Sequence, residues 1–371
     1  MKKKINIYNL TSHLISSHPK EKTMKFLILV LIFFIDIAVA DSDSNSRAIG
    51  HAPIGVSADH YHKKGESMIS VRHGYMNMSG NIFDGSSITN AEILMMPNPL
   101  SNMPANLSVI PKDMSMQMLM IGGMYAPSDS ITLMAMGMFV SKDMNLNTYQ
   151  AMMNRNFLGG FNTSSKGISD LSLGVLYRIK EDENSRLHGE LTFQHSIGEN
   201  EKKGTVLTPM NVNAEMVLPY GMQIGDGSSK IIIGFTHLKD INQKFKWGNQ
   251  VRRKFSVAKK DWAFGNQTEL NTWVQYEVSQ ILSLSTRIKW TQQSEISGSN
   301  TNISAPVQTA NTENYGGKDT YIGFGINYLA HFLPGKKDRL ALEFLTPINQ
   351  NKNNLQMKSK SQVMLGYQKS F

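Results

Sequence analysis

The chain has 371 residues, a formal net charge of +9, 40% hydrophobic and 18% charged residues, and no cysteine. The lack of cysteine excludes a disulfide framework, Cys-ligated zinc, iron–sulfur clusters and a cysteine nucleophile. The mean hydropathy of −0.28 excludes a polytopic helical membrane protein, which would need several runs of about 20 apolar residues.

From the N-terminus, the long apolar run is residues 26–40. It is short for a transmembrane helix and carries Asp36. Lys25 precedes it, Ala38-Val39-Ala40 closes it and Asp41 follows. A basic n-region, an apolar h-region and a small-residue cleavage site make a secretory signal peptide. The expectation is a signal peptide over 24–40, starting at Met24 and cleaved after Ala40, with 1–23 as an upstream extension. An N-terminal membrane anchor is the alternative. Six Lys against Glu21 and Asp36 give this leader +4 of the net charge, which leaves +5 from Asp41 onward. That mild balance, with no run of five or more basic residues, disfavours nucleic acid as a partner.

Beyond the leader, segments of about 10 residues alternate apolar and polar, and turn-rich stretches separate them. Over 171–179, Leu171, Leu173, Val175 and Tyr177 oppose a face that ends in Arg178. Over 187–197, Leu191 and Phe193 oppose His188, Glu190 and Gln194. Over 269–279, Leu270, Val274 and Tyr276 oppose Glu269 and Glu277. Over 284–291, Leu284 and Ile288 oppose Arg287 and Lys289. Over 339–346, Leu340, Leu342 and Phe344 oppose Glu343. In a sandwich the charged face would meet bulk water. In a membrane barrel it lines a wet lumen while the apolar face touches lipid.

The connections choose between the two. Those at 79–113, 141–167, 240–268 and 294–319 are long, and those at 126–130, 180–186, 280–283 and 331–338 are short. Those at 198–208, 220–229 and 346–359 are of medium length. Short turns on one rim and long loops on the other are the outer-membrane pattern. The chain also ends in alternation, with Val363, Leu365, Tyr367 and terminal Phe371. This resembles the C-terminal strand by which outer-membrane assembly machinery recognises barrels, with Lys369 where an aromatic or apolar residue is usual. The expectation is an all-β, transmembrane, antiparallel, up-and-down β-barrel of about 12 strands over 66–371. A periplasmic N-terminal segment over 41–65 would precede it. The expected lumen residues are Arg72, Arg178, His188, Glu190, Gln194, Glu269, Glu277, Arg287, Lys289 and Glu343. Their mixed signs argue against a strongly ion-selective pore, and pairing among them would narrow the lumen.

The mature chain holds 22 Met, of which 17 lie between Met68 and Met153. Met114, Met116, Met118 and Met120 share one strand face, and Met134, Met136 and Met138 share one face of the next. Thioethers select Cu(I) over hard cations, so a lumen ladder could bind or pass copper. A lipid-facing stripe would be inert packing. Just before the first strand, Asp59-His60-Tyr61-His62 sets His60 and His62 at i, i+2. With Asp59 and His51 they suit Cu(II) or Zn(II), and a polar linker is the plainer alternative. No Gly-x-Ser-x-Gly, His-Glu-x-x-His or phosphate loop is present, so no enzyme is expected.

Several phrases carry a resemblance. They are Ala52-Pro53-Ile54-Gly55-Val56, then Asp59-His60-Tyr61-His62-Lys63-Lys64-Gly65-Glu66, and Met68-Ile69-Ser70-Val71-Arg72. Tyr125-Ala126-Pro127-Ser128-Asp129 and Gly167-Ile168-Ser169-Asp170-Leu171 follow. Here the chain resembles bacterial outer-membrane "transporter" barrels related to the phenol-degradation meta-pathway barrel proteins. Tyr61 stands where relatives often carry Met. The resemblance implies an outer-membrane, porin-like channel for a small, aromatic or hydrophobic solute. It implies no binding residues. The expected partners are outer-membrane lipid, the assembly machinery and the solute.

Overall fold

The computed structural model describes residues 47–371 except 102, 153 and 335–337. The upstream extension, the signal peptide, its cleavage site and residues 41–46 lie outside the described residues.

Period-2 alternation becomes wall strands because one face must meet water and the other must not. The wall strands are β1 (Ser67–Phe83), β2 (Val109–Ser128), β3 (Ile131–Tyr149) and β4 (Phe157–Asp182). They continue with β5 (Ser185–Ser196), β6 (Ser229–Asp240), β7 (Phe245–Ala258) and β8 (Gln267–Ser279). The last four are β9 (Leu282–Gln293), β10 (Gly317–Ala330), β11 (Asp338–Lys352) and β12 (Leu355–Ser370). Each pairs antiparallel with its sequence neighbours. β12 pairs with β1 from Met68↔Ser370 to Phe83↔Leu355, so the sheet closes on itself without a free edge. Ser67 and Phe371 add two backbone bonds at the seam, of 2.8 and 3.3 Å.

The count of 12 agrees with the sequence expectation, but two of its members change. Residues 209–219 read as a strand between two medium connections. Instead, Lys203–Leu207 and Asn213–Val217 pair with each other as a hairpin inside the 197–228 loop. Residues 240–268 read as one long loop. They contain β7, which pairs with β6 over Lys246–Ala258 and with β8 over Phe245–Lys254. Similarly, most of 141–167 is wall, because β3 runs to Tyr149 and β4 starts at Phe157. With these changes short turns and longer loops alternate around the wall up to β11. There a two-residue turn at 353–354 joins β11 to β12.

The outward face is an apolar belt. Leu173, Phe193, Phe235, Val251, Ile288, Phe324, Phe344 and Leu365 all stand exposed along it. A continuous belt of this kind around a closed barrel suits hydrocarbon, not water. No described helix is long and apolar enough to cross a membrane. Crossing falls to the strands. Lys369 has the outward parity of Leu365 but is 3% exposed, because Asp338 lies 3.4 Å from its ammonium at the short-turn rim.

Candidate functional site

The segment that precedes β1 lies inside the wall. Residues 47–66 thread the lumen near the short-turn rim, and hydrogen bonds from ten wall strands, β1–β3 and β5–β11, hold them. The bonds run mostly from wall side chains to main-chain carbonyls. Ser283 donates to Ala48 O (3.1 Å), Gln275 and Asn327 to His51 O (2.8 Å for Asn327), and Arg339 to Ala52 O. Arg72 donates to Ile54 O (3.1 Å) and Val56 O (3.4 Å), and Gln250 to Ser57 O (2.8 Å). His188 Nε2 lies 2.9 Å from Ala58 O and Thr236 Oγ1 3.5 Å from it. The amides of Gly55, His62 and Lys64 donate to Glu343 (2.8 Å), Thr132 (2.9 Å) and Asp129 (3.0 Å). An extended segment has no sheet partner of its own, so its buried backbone groups must find side chains. The polar inner faces supply them.

Ion pairs fix the wall behind this plug. Arg287 forms a forked pair with Glu343 at 2.8 and 3.0 Å, with both side chains 2% exposed or less. Arg252 forks onto Glu190 at 2.8 Å for both bonds. Lys289 meets Glu269 at 3.0 Å, and Arg47 of the plug meets Glu277 at 2.5 Å. Beside Ala52 and Val56 the buried Trp273 fills the lumen. Its ring occupies the space a Cβ would need at Gly248, so that position of β7 requires glycine.

Three buried imidazoles pack within the plug. The His51 and His60 rings are 5.5 Å apart, and those of His60 and His62 are 4.9 Å apart, both edge to face. Asp59 lies 3.0 Å from His60 Nδ1 and accepts from Ala52 N (3.1 Å). Glu66 lies 3.5 Å from His62 Nδ1 and accepts from Lys63 N (3.0 Å). Nδ1 of His51 and Nε2 of His60 and His62 have no hydrogen-bond partner among the described residues. Burial, with Arg339 and His60 nearby, pushes His51 well below its usual range. Burial also lowers His62, against an opposing pull from Glu66. Burial alone would raise Asp59, but His60, Arg339 and Arg72 hold it well below the usual carboxylate range. Among the described residues no group of three His, Asp or Glu side chains is arranged to hold a metal ion. Asp59, His60 and His62 are placed together, but within the plug's own packing.

Above the plug the methionines face inward. Residues directly opposite in an antiparallel pair share a face. Arg72, which reaches the plug, is opposite Met120, and Met120 is opposite Met138. By the same register Met68, Met124 and Met134 share the inner face, as do Met76 with Met116, Met78 with Met114, and Met118. Met136 is opposite Gly122. Met364 of β12 joins them opposite Gly74. A lumen cavity of about 240 Å³ lies against this wall, lined by Met68, Met120, Met124, Met134, Met136 and Met138. The plug residues Ser57, Ala58 and Asp59 form its floor. Arg72, Glu190, Gln194, Arg252, Lys254 and Glu269 supply its polar lining. At Gly174 a Cβ would meet Met134 Cε at 2.6 Å, so glycine there keeps the cavity open.

Toward the other rim the longer loops dip inward. Leu218, Tyr220, Met222, Trp262, Ile296, Ile303 and Val307 bury themselves against Met114, Met144 and Met357 of the inner wall. The Tyr220 and Trp262 rings lie 4.7 Å apart, and Trp262 and Phe264 5.2 Å apart. Lys142 ties this cap to β3 through the carbonyls of Gly221 (3.0 Å) and Gln223 (2.5 Å).

All ten expected lumen residues project from the inner face. Arg72, Glu190, Gln194 and Glu269 line the cavity. Arg287, Lys289 and Glu343 pair beside the plug. Arg178 is opposite His188 at the short-turn rim, and Glu277 anchors Arg47 there. Met114, Met116, Met118, Met120, Met134, Met136 and Met138 share that face, with Met114 drawn into the cap. Sequence reasoning missed Gln250, Arg252 and Lys254, because it missed β7. The signal was present: Phe245, Trp247, Val251, Phe255 and Val257 keep one parity. It also passed over Asn327 and Arg339 as plug holders, which no local pattern marks.

No protein-family model and no curated protein matches the sequence. Among solved structures the chain is similar to an outer membrane channel from Pseudomonas putida F1. Identity is 13%, the TM-score is 0.53, and the match covers 86% of this chain and 100% of that one. Fainter likenesses include the NanC porin (10% identity, TM-score 0.40, 81% and 98% covered) and the P. putida toluene transporter TodX (11%, 0.39, 82% and 89%). At these identities the likeness is one of fold, that of bacterial outer-membrane barrels.

Proposed function

We propose that this protein is an outer-membrane channel for a small solute, closed at rest by its own N-terminal segment. The observation that carries this is the pairing of a cavity inside a closed barrel with a plug held by polar bonds. Water can replace each bond from a wall side chain to a plug carbonyl, so each stabilises the plug by only about 1 kcal/mol net. The plug can therefore leave the lumen while the wall stays folded. The apolar belt and the signal-peptide reading of 24–40 support an outer-membrane location. The strand ending at Phe371 supports recognition by the assembly machinery, and outer-membrane lipid is the surrounding partner. The resemblance to phenol-pathway barrels and the methionine wall support a solute with an apolar or aromatic body. The protein is a passage and not an enzyme.

The test is planar-bilayer conductance of residues 41–371 against the same chain lacking 47–58. Rare steps in the first and sustained steps in the second are expected. A silent deletion variant, with insertion shown by protease protection, would sink the proposal. A second reading, binding or passage of copper, is favoured by the register that turns the thioethers inward. Cu(I) titration of detergent-folded protein tests it, and no binding above background removes it.

A further inference from the structure

The cavity has two unlike walls, and their difference identifies a ligand class. On one side stand six thioethers, an apolar, polarisable and adaptable surface that makes favourable contacts with aromatic rings. Also lining the cavity are three carboxylates, Asp59, Glu190 and Glu269, and three cations, Arg72, Arg252 and Lys254. Of the lining carboxylates, Glu190 is forked by Arg252, Glu269 is met by Lys289, and Asp59 is beside His60. Of the lining cations, Arg252 is used by Glu190. Arg72 faces no carboxylate within ion-pair distance and is turned to the plug carbonyls. Lys254 lines the cavity with an ammonium that makes no hydrogen bond or ion pair among the described residues. Because Lys289, which is outside the lining, takes Glu269, Lys254 is the lining ammonium left without a partner.

From this we infer that the cavity binds a small organic monoanion: a carboxylate that meets Lys254 and an apolar, preferably aromatic, body laid on the methionine wall. The inference rests on the channel proposal and names the solute class for that lumen. Size agrees, since roughly 150 Å³ suffices for benzene and the cavity offers about 240 Å³. Sign disfavours a bare soft cation at the same place. Thioethers would attract Cu(I), but the unmatched ammonium and the Arg72 guanidinium repel it across the cavity.

Calorimetric titration of detergent-folded protein tests the inference without requiring conduction. Failure of the channel proposal would show separately as silent bilayers. The probes are benzoate, benzyl alcohol as the uncharged ring, acetate as the ringless carboxylate, and Ag⁺ as the soft cation. Benzoate should bind more tightly than either fragment. Lys254→Gln should weaken benzoate roughly tenfold to a hundredfold, the range for loss of one charged hydrogen bond. It should leave benzyl alcohol unchanged, and Lys254→Arg should restore binding. Met136→Gln should weaken both ring probes and provides a second variant if Lys254→Gln fails to show heat-modifiable mobility on a gel. Equal binding of benzoate and benzyl alcohol would overturn the inference. So would a Lys254→Gln protein indifferent to benzoate, or Ag⁺ binding with none of the benzoate.

Discussion

Replacing Arg287 by Met tests whether the buried pair behind the plug holds the gate. In the closed state Glu343 accepts two bonds from Arg287, at 2.8 and 3.0 Å, and one from Gly55 N, at 2.8 Å. Removing the guanidinium leaves the fully buried Glu343 carboxyl with the Gly55 amide and no ion-pair partner among the described residues. Breaking one side of a buried pair costs about 3–5 kcal/mol. In an unplugged lumen Glu343 is wet, so the cost falls on the closed state alone. At about 1.4 kcal/mol per factor of ten, the closed-to-open ratio should fall by roughly a hundredfold to a few thousandfold. Single-channel open probability in planar bilayers reads this directly. The double variant Arg287→Met, Glu343→Leu removes the stranded charge and should return most of the way to wild type. The coupling between the two sites is then large and of opposite sign to the single costs. An Arg287→Met channel no more open than wild type would refute this account, as would a double variant more open than either single one.

Acid should open the channel. Neutral His51 and His62 stabilise the plug fully above their ordinary value of 6.5, and that stability is lost as pH falls below it. Each proton taken up on release gives about 1.4 kcal/mol per pH unit. Asp59, held well below its usual range, keeps its charge through this window and adds nothing. Open probability should therefore rise about tenfold per unit and per proton from about pH 6.5 downward, and a flat profile or alkaline opening would contradict it. Gly248→Ala should push Trp273 off Ala52 and Val56 at a cost of about 1–3 kcal/mol, seen as faster protease cleavage within 47–66. Trp262→Ala should cost the loop cap about 3–5 kcal/mol, measured as protease nicking within 197–228 while the boiled-to-unboiled gel shift of the barrel is retained.

Much of the wall was legible because each strand carries its own label. Leu171, Leu173, Val175 and Tyr177 announce their face without reference to any other segment. β7 was not legible because Arg252, Arg253 and Lys254 run together. Arg252 and Lys254 face the lumen, whereas Arg253 lies outward near the loop rim and bonds Thr268, so a charge sits on the face that should be apolar. Residues 209–219 failed in the opposite sense. Their alternation is real but serves a loop hairpin. The methionine face was undecidable from β2 alone, since Met118 and Met120 alternate with the equally apolar Leu119 and Ile121. Only the register to Arg72, whose charge cannot face lipid, decides it. The plug was least legible. Ala58, His51 and Ala52 meet the side chains of His188, Gln275 and Arg339, which lie 130, 224 and 287 residues away, and local sequence carries no such information.

The two closures differ in chemistry, and the difference assigns their roles. The plug is joined to the wall by many hydrogen bonds that water can reproduce, with Ile54 and Val56 as its main buried apolar contacts. The loop cap is joined by Tyr220, Met222, Trp262 and Leu218, all 1% exposed or less. Burying such side chains contributes about 1.5–3 kcal/mol each, and water offers no substitute for that contribution. Wetting the lumen therefore weakens the plug while it leaves the cap in place. The same wetting exposes the three imidazoles, whose unpartnered nitrogens then gain hydrogen bonds they lack in the closed state. Closure thus stores an unmet demand for hydrogen bonds at His51, His60 and His62, and release satisfies it. Under the proposed function such a gate would open at the short-turn rim first, and a solute held against the methionine wall would leave past Ser57, Ala58 and Asp59.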